Sequence, residues 1–143
     1  MARYTTTIAS PWPPEQAFEF MADLRNFAEW DPGVKKSTMT SGSAPGLGTA
    51  YDVTVGLSTL NYVTKEYNPS TRTVAEAKTL LLRSYDIIEV TETASGCEVF
   101  YDAELTLNGL LGMADPVLGL AFSRIGDKAA AGMAAALDGT KIR

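Results

Sequence analysis

The sequence has no histidine and only one cysteine among its 143 residues. Histidine is the commonest metal ligand in proteins and the commonest base near neutral pH, so any chemistry must rest on carboxylates, tyrosines or a bound water. Cys97 has no partner for an internal disulfide, and it lies in an alternating run with Val99 and Tyr101. We therefore interpret Cys97 as a buried structural thiol and expect neither a metal nor another cofactor.

The sequence also lacks a basic cluster and a long apolar run. Its 12 Lys and Arg residues are scattered and the net charge is −5, so nucleic acid is not an expected partner. The most apolar stretch, residues 110–122, is interrupted by Asp115 and Pro116 and is shorter than the roughly 20 residues that cross a bilayer. No apolar leader precedes the first strand-like residues. These patterns predict a cytoplasmic protein without an integral membrane segment.

The composition is that of an ordinary globular protein. Apolar residues make up 45% of the chain and charged residues 20%, and a chain of this length can bury about 70% of the surface that it exposes when unfolded. We expect residues 1–143 to form one domain. The sequence shows no interface pattern, so a homodimer stays an open alternative to a monomer.

The order of the predicted elements is one strand, two short helices, six strands and one long helix. The first strand stops at the prolines of residues 11–14, which also begin the first short helix. Six β-rich segments separated by turn residues follow. We place them at residues 34–40, 49–56, 59–67, 72–78, 82–91 and 97–107. Apolar residues at spacings of three and four predict the last helix over residues 116–137, with Leu118 and Phe122 on its apolar stripe.

This order predicts an α+β fold in which a curved antiparallel sheet of seven strands wraps around the C-terminal helix. Short connections favour an antiparallel meander. One helix can cover only part of the apolar face of seven strands, and the alanines and glycines of residues 129–136 make the end of this helix slim. We therefore expect an internal cavity that holds a small apolar molecule.

Several segments resemble the START-like (SRPBCC) superfamily. They are Ile8-Ala9-Ser10-Pro11, Pro14-Glu15-Gln16-Ala17-Phe18, Phe27-Ala28-Glu29-Trp30-Asp31-Pro32-Gly33, Gly46-Leu47-Gly48-Thr49 and the closing helix. Over essentially its whole length, the chain is most similar to the bacterial polyketide cyclase/dehydrase and lipid-transport group. The resemblance implies a helix-grip fold with a deep hydrophobic pocket for a lipid, polyketide, sterol or isoprenoid-like molecule. It does not imply one reaction, because the superfamily includes carriers, cyclases and dehydratases.

Asp86 is the most informative candidate site residue. A hairpin of residues 82–91 and 97–107, closed near residues 93–96, would place Asp86 opposite Ala103 on a face that is otherwise apolar except for Ser84. The opposite face carries acidic residues, among them Asp102 and Glu104, and is predicted to be solvated. Burial would raise the pKa of Asp86 and make it a proton donor, a base or a ligand anchor. The alternatives are a register shifted by one residue, or a carboxylate paired with a hydroxyl or a basic side chain near the rim.

The remaining candidates are mostly aromatic residues. Trp30 ends the second short helix, where it either anchors the core or contacts the ligand. Tyrosines in the strands either pack in the core or offer a hydroxyl to the ligand, and at least one should line the pocket. We assign Tyr101 as the proton-transfer partner of Asp86. The predicted ligand contacts are Trp30, Tyr51, Tyr62, Ser84, Ile88, Leu118 and Phe122.

Three functions are compatible with this pattern. Binding or carriage of a small hydrophobic molecule is favoured by the expected cavity and by the lack of a histidine, a metal cluster or a nucleophile motif. The main alternative is an enzyme of the polyketide cyclase/dehydratase type, in which Asp86 and Tyr101 move protons. The third is an accessory module, which a large exposed apolar patch away from the cavity mouth would indicate.

Overall fold

The computed structural model describes the backbone of residues 1–109 and 115–143, and the side chains of residues 1–109 and 119–143. Its α-helices and strands follow one another in nearly the order that the sequence predicts. In chain order they are β1 (Ala2–Ser10), α1 (Pro14–Ala22), a 3-10 helix (Leu24–Asn26), α2 (Phe27–Trp30), β2 (Val34–Ser41), β3 (Ala50–Val55), β4 (Ser58–Asn68), β5 (Arg72–Lys78), β6 (Leu82–Thr93), β7 (Gly96–Leu107), α3 (Asp115–Ala136) and β8 (Thr140–Lys141). None of the helices described here is both long and apolar enough to span a membrane.

The described strands form one antiparallel sheet in the order β2-β3-β4-β5-β6-β7-β1-β8. The α+β class and the antiparallel meander are therefore confirmed. The prediction of seven strands was wrong, because β8 pairs with the edge of β1 through Lys141 opposite Ile8 and Thr140 opposite Ala9. Two residues are too few to show the alternation from which a strand is predicted.

The two short helices form as their local sequence dictates. Pro14 occupies the first turn of α1, where its missing N–H has no helical partner to lose, and Phe18 and Met21 of this helix are buried. Asp23 then caps the 3-10 helix by accepting a hydrogen bond from the Arg25 backbone N–H at 3.0 Å. These turns bring α2 back over the sheet, where Trp30 is buried with 1% of its surface exposed.

The helix α3 packs closely at its C-terminal half and less closely before it. Met133 and Leu137 are fully buried, whereas Leu120 and Ile125 are exposed. A Cβ atom added at Gly132 would lie only 1.9 Å from the Trp30 carbonyl oxygen, so the backbones of α3 and α2 are in direct contact there. The core is therefore solid around α1 and α2, and space remains between the first half of α3 and the sheet.

Candidate functional site

A cavity of about 300 Å³ lies between α3, the inner face of the sheet and the segment that joins α2 to β2. Most of its lining is apolar. The described lining residues are Tyr4, Phe27, Asp31, Gly33, Val34, Val55, Ser58, Leu60, Tyr62, Leu82, Ser84, Asp86, Tyr101, Ala103, Leu105, Phe122, Ile125, Gly126 and Ala129. Its volume is at the small end of the range for ligand pockets, about 300–1,000 Å³.

The hairpin of β6 and β7 turns Asp86 into this cavity. Asp86 lies opposite Ala103, and Ser84 lies opposite Leu105, so the predicted register is confirmed. The hairpin closes where Thr93 pairs with Gly96. Asp86 keeps only 8% of its surface exposed, and the shifted register is therefore excluded.

The surroundings of Asp86 favour its neutral form. Burial and, to a smaller extent, the negative charges of Asp31 and Asp102 raise its pKa to about 8, although the hydrogen bond from Tyr101 acts in the opposite direction. No ion pair among the described residues includes Asp86, so a basic partner at the rim is not found there. Asp86 also borders a second void of about 10 Å³, roughly the size of one water molecule, together with Thr64 and Thr73.

Two tyrosines place their hydroxyls in the same region. The hydroxyls of Tyr62 and Ser84 are 2.8 Å apart and share a hydrogen bond. Burial raises the pKa of both Tyr62 and Tyr101 well above the ordinary tyrosine value. Both hydroxyls therefore stay protonated near neutral pH and act as neutral donors or acceptors toward a ligand.

Asp31 is a second acidic residue in the cavity, and it is not among the site residues predicted from the sequence. Its carboxylate accepts a hydrogen bond from the Gly33 backbone N–H at 2.9 Å, and 9% of the residue surface is exposed. Burial raises its pKa, and the hydrogen bond from Gly33 opposes that change. The Asp-Pro-Gly sequence identifies the turn but carries no sign that the carboxylate faces a cavity.

The predicted site residues divide between the cavity and the core. Those that line the cavity together are Tyr62, Ser84, Asp86, Tyr101 and Phe122. Trp30 and Ile88 border the 10 Å³ void instead, and Trp30 stacks on Phe27 with ring centroids 4.7 Å apart. Tyr51 is fully buried and is not among the described lining residues of either space. Leu118 lies outside the described side chains.

The outer face of the hairpin departs from the prediction at one residue. Asp102 is 5% exposed rather than solvated, because Arg3 on the neighbouring strand β1 covers it. The Arg3 Nε and Nη2 atoms donate to the two carboxylate oxygens at 2.9 and 2.7 Å. Asp102 is therefore a structural ion-pair partner that lies behind the cavity. Among the described side chains, those of residues 1–109 and 119–143, no group of three or more acidic or cysteine residues is arranged to hold a metal ion.

An antiparallel sheet that curves around a C-terminal helix and leaves a cavity between them defines the helix-grip class of folds. The chain belongs to the family described as polyketide cyclase/dehydrase and lipid transport, whose model matches residues 1–138. The resemblance seen in the sequence is therefore confirmed. No curated protein sequence matches the chain.

Several solved structures share the fold of this chain at low sequence identity. A START superfamily protein from Mycobacterium smegmatis is 11% identical with a TM-score of 0.66, and 96% of each chain is covered. A hypothetical protein from Helicobacter pylori is 9% identical with a TM-score of 0.76, and 94% of this chain and 87% of that chain are covered. The di-domain ARO/CYC BexL from the BE-7585A biosynthetic pathway is 22% identical with a TM-score of 0.62, and 82% of this chain and 39% of that chain are covered.

Proposed function

We propose that residues 1–143 act as one domain that binds a small, mostly apolar molecule, of lipid, polyketide or isoprenoid type, in the cavity between the sheet and α3. The observation that carries this proposal is the cavity itself. Protein interiors are otherwise packed to the density of organic crystals, so a space of about 300 Å³ lined by apolar side chains is far larger than a packing defect. Membership of a family described by lipid transport supports the same function.

The polar groups in the lining suit a binding site. Asp31, Asp86, Tyr101 and the Tyr62–Ser84 pair are few, buried and fixed on strands or a tight turn. A few polar groups of this kind orient a ligand whose affinity comes from apolar burial. We expect the ligand to present one polar end to these groups and an apolar body to Phe122 and α3.

Native mass spectrometry of the protein purified from its own host tests this proposal. We expect a fraction of the protein to carry one intact molecule, which leaves on addition of organic solvent and is identified from the difference in mass. A neutral probe, 2-naphthalenemethanol, should bind the emptied protein at a stoichiometry of one. The proposal fails if only the bare protein mass is found and the probe does not bind.

Catalysis of the polyketide cyclase/dehydratase type is a second candidate, and the carboxyl of Asp86 is the observation that favours it. A pKa of about 8 lets this group carry a proton at neutral pH and also release it, as general acid–base catalysis requires. Protonated Asp86 and the neutral Tyr101 hydroxyl would donate to a substrate carbonyl, and ionised Asp86 would remove a proton from an adjacent carbon. The cavity would hold the chain in the folded conformation in which these groups meet.

Binding and catalysis are separated by the Asp86→Asn and Tyr101→Phe variants. If the protein is an enzyme, Asp86→Asn should lower the conversion of a poly-β-ketone substrate by about 100-fold or more while 2-naphthalenemethanol still binds. Tyr101→Phe should have a smaller effect because it removes only one donor. Conversion that is absent in the wild-type protein, or unchanged in Asp86→Asn, argues for binding alone.

A further inference from the structure

The charged groups of the cavity are all of one sign. Asp31 and Asp86 both line it, and no Lys or Arg is among the described lining residues. Residues 110–118, whose side chains are not described, contain no Lys or Arg in the sequence either. The ligand therefore meets two carboxyl groups and no cationic side chain.

Several basic residues of the sheet are instead paired with acidic residues outside the cavity. Arg3 pairs with Asp102. Arg72 lies between Glu66 and Glu89, and Arg83 pairs with Glu76. None of these seven residues is among the described lining residues of the cavity. Asp31 and Asp86 have no such partner among the described residues, although each keeps less than a tenth of its surface exposed. A buried acid without a cation is costly unless it is neutral or a ligand supplies the cation.

We propose that the cavity selects apolar molecules with an amine head group over those with a carboxylate, and that Asp31 and Asp86 bind this amine. An anionic head group would be repelled by either carboxyl group in its ionised form and would find no cation in the described lining, whereas an ammonium group would pair with the ionised forms. The Tyr62 and Tyr101 hydroxyls would remain available to a neutral polar group on the same ligand. This inference rests on the proposed binding function and narrows the ligand class.

Binding of an amine should also release a proton. Asp86 is mostly protonated in the free protein near neutral pH, since burial and the charges of Asp31 and Asp102 raise its pKa to about 8. Tyr62 and Tyr101 are the other titratable groups that face it, and both stay neutral. An ammonium ion favours the ionised form of Asp86, so the complex holds fewer protons than the separate components.

Three probes with the same naphthalene body test the proposal. They are 2-naphthylmethylamine, 2-naphthalenemethanol and 2-naphthoic acid, and their dissociation constants are measured by calorimetry at pH 7 in two buffers of different ionisation enthalpy. We expect the amine to bind at least about tenfold more tightly than the acid, with proton release for the amine alone. Equal binding of all three, or tighter binding of the acid, overturns the selectivity but leaves the binding function intact. If none binds, both proposals fail.

The variants Asp86→Asn and Asp31→Asn test whether these two residues cause the selectivity for an amine. Asp86→Asn should bring the amine and the acid to within about threefold of each other and abolish the proton release, while a cooperative urea transition at pH 7 shows that the variant is folded. Glu92→Gln is the matched control, because Glu92 lies on the same strand and is exposed, and the variant makes the same change from carboxyl to amide. An amine preference that survives in Asp86→Asn and in Asp31→Asn, or that is lost in Glu92→Gln, overturns the assignment.

Discussion

At the scale of single residues, the position of a carboxyl group within the sheet decides its protonation. Asp86 and Asp102 lie on adjacent strands and are both nearly inaccessible to solvent, yet only Asp102 has an arginine beside it. The pKa of Asp86 rises to about 8 because burial and the charges of Asp31 and Asp102 disfavour its ionised form, and the hydrogen bond from Tyr101 offsets this only in part. Asp86 is therefore the residue whose ionisation should be visible in the stability of the whole protein.

We predict that the free energy of unfolding of the wild-type protein falls between about pH 4 and pH 8, and that Asp86→Asn abolishes this fall. The folded pKa of Asp86 is about 8, above the ordinary value of 3.8, so the folded state binds this proton more tightly and stability falls as the pH rises through this window. Each unit of pKa shift is worth about 1.4 kcal/mol, and Asn cannot ionise. Urea denaturation at pH 4, 6, 8 and 9 should show that the free energy of unfolding of Asp86→Asn increases relative to that of the wild type as the pH rises. A constant difference across these pH values would contradict the burial of Asp86, and Glu92→Gln controls for the change in net charge.

Sequence periodicity accounts for the position of some cavity-lining residues and not of others, for a physical reason. Alternation along a strand fixes which face a side chain occupies, and this sufficed for Asp86 and Tyr101. It does not tell what lies over that face, and Tyr51 consequently lies in the packed core although it was predicted to contact a ligand. Asp31 belongs to a turn, where no periodicity exists to give a direction.

At the scale of secondary-structure elements, turns and long strands were more predictable than the sheet edge. The hairpin of β6 and β7 has twelve residues in each strand, and its register follows from one turn near residues 93–96. The strand β8 has two residues, and it forms because the chain leaving α3 returns along β1. Such a strand depends on tertiary placement and leaves no local pattern.

The contact between α3 and α2 depends on a glycine. We predict that Gly132→Ala lowers the free energy of unfolding by about 1–3 kcal/mol, because the new Cβ atom would lie 1.9 Å from the Trp30 carbonyl oxygen and must push the helices apart. Gly119→Ala is the control on the same helix. No described atom lies within 4 Å of a Cβ atom there, so alanine should stabilise the helix by up to about 1 kcal/mol. Thermal and urea denaturation of both variants measure the difference, and equal effects would show that the two helices do not touch.

At the scale of the whole molecule, α3 serves two regions of the sheet in different ways. Its C-terminal half packs against α2 over the core, and its preceding turns line one side of the cavity with Phe122, Gly126 and Ala129. The sequence predicted this division only in outline, through the small residues of positions 129–136. The volume and the outline of the space depend on the distance between helix and sheet, which sequence periodicity does not determine.

Substitutions at two neighbouring alanines of α3 can therefore distinguish the open cavity from the packed core. Both alanines are buried, but Ala129 lines the cavity and Ala130 is not among its described lining residues. We predict that Ala129→Leu places its side chain in the open space, changes the free energy of unfolding by less than about 1 kcal/mol and weakens the binding of 2-naphthalenemethanol by about tenfold or more. Ala130→Leu should instead overpack the core and cost about 1–3 kcal/mol. Urea denaturation and probe titration of the two variants test this difference. If Ala129→Leu destabilises the protein as much as Ala130→Leu does, the space beside α3 is not open to a side chain and is too small for a ligand.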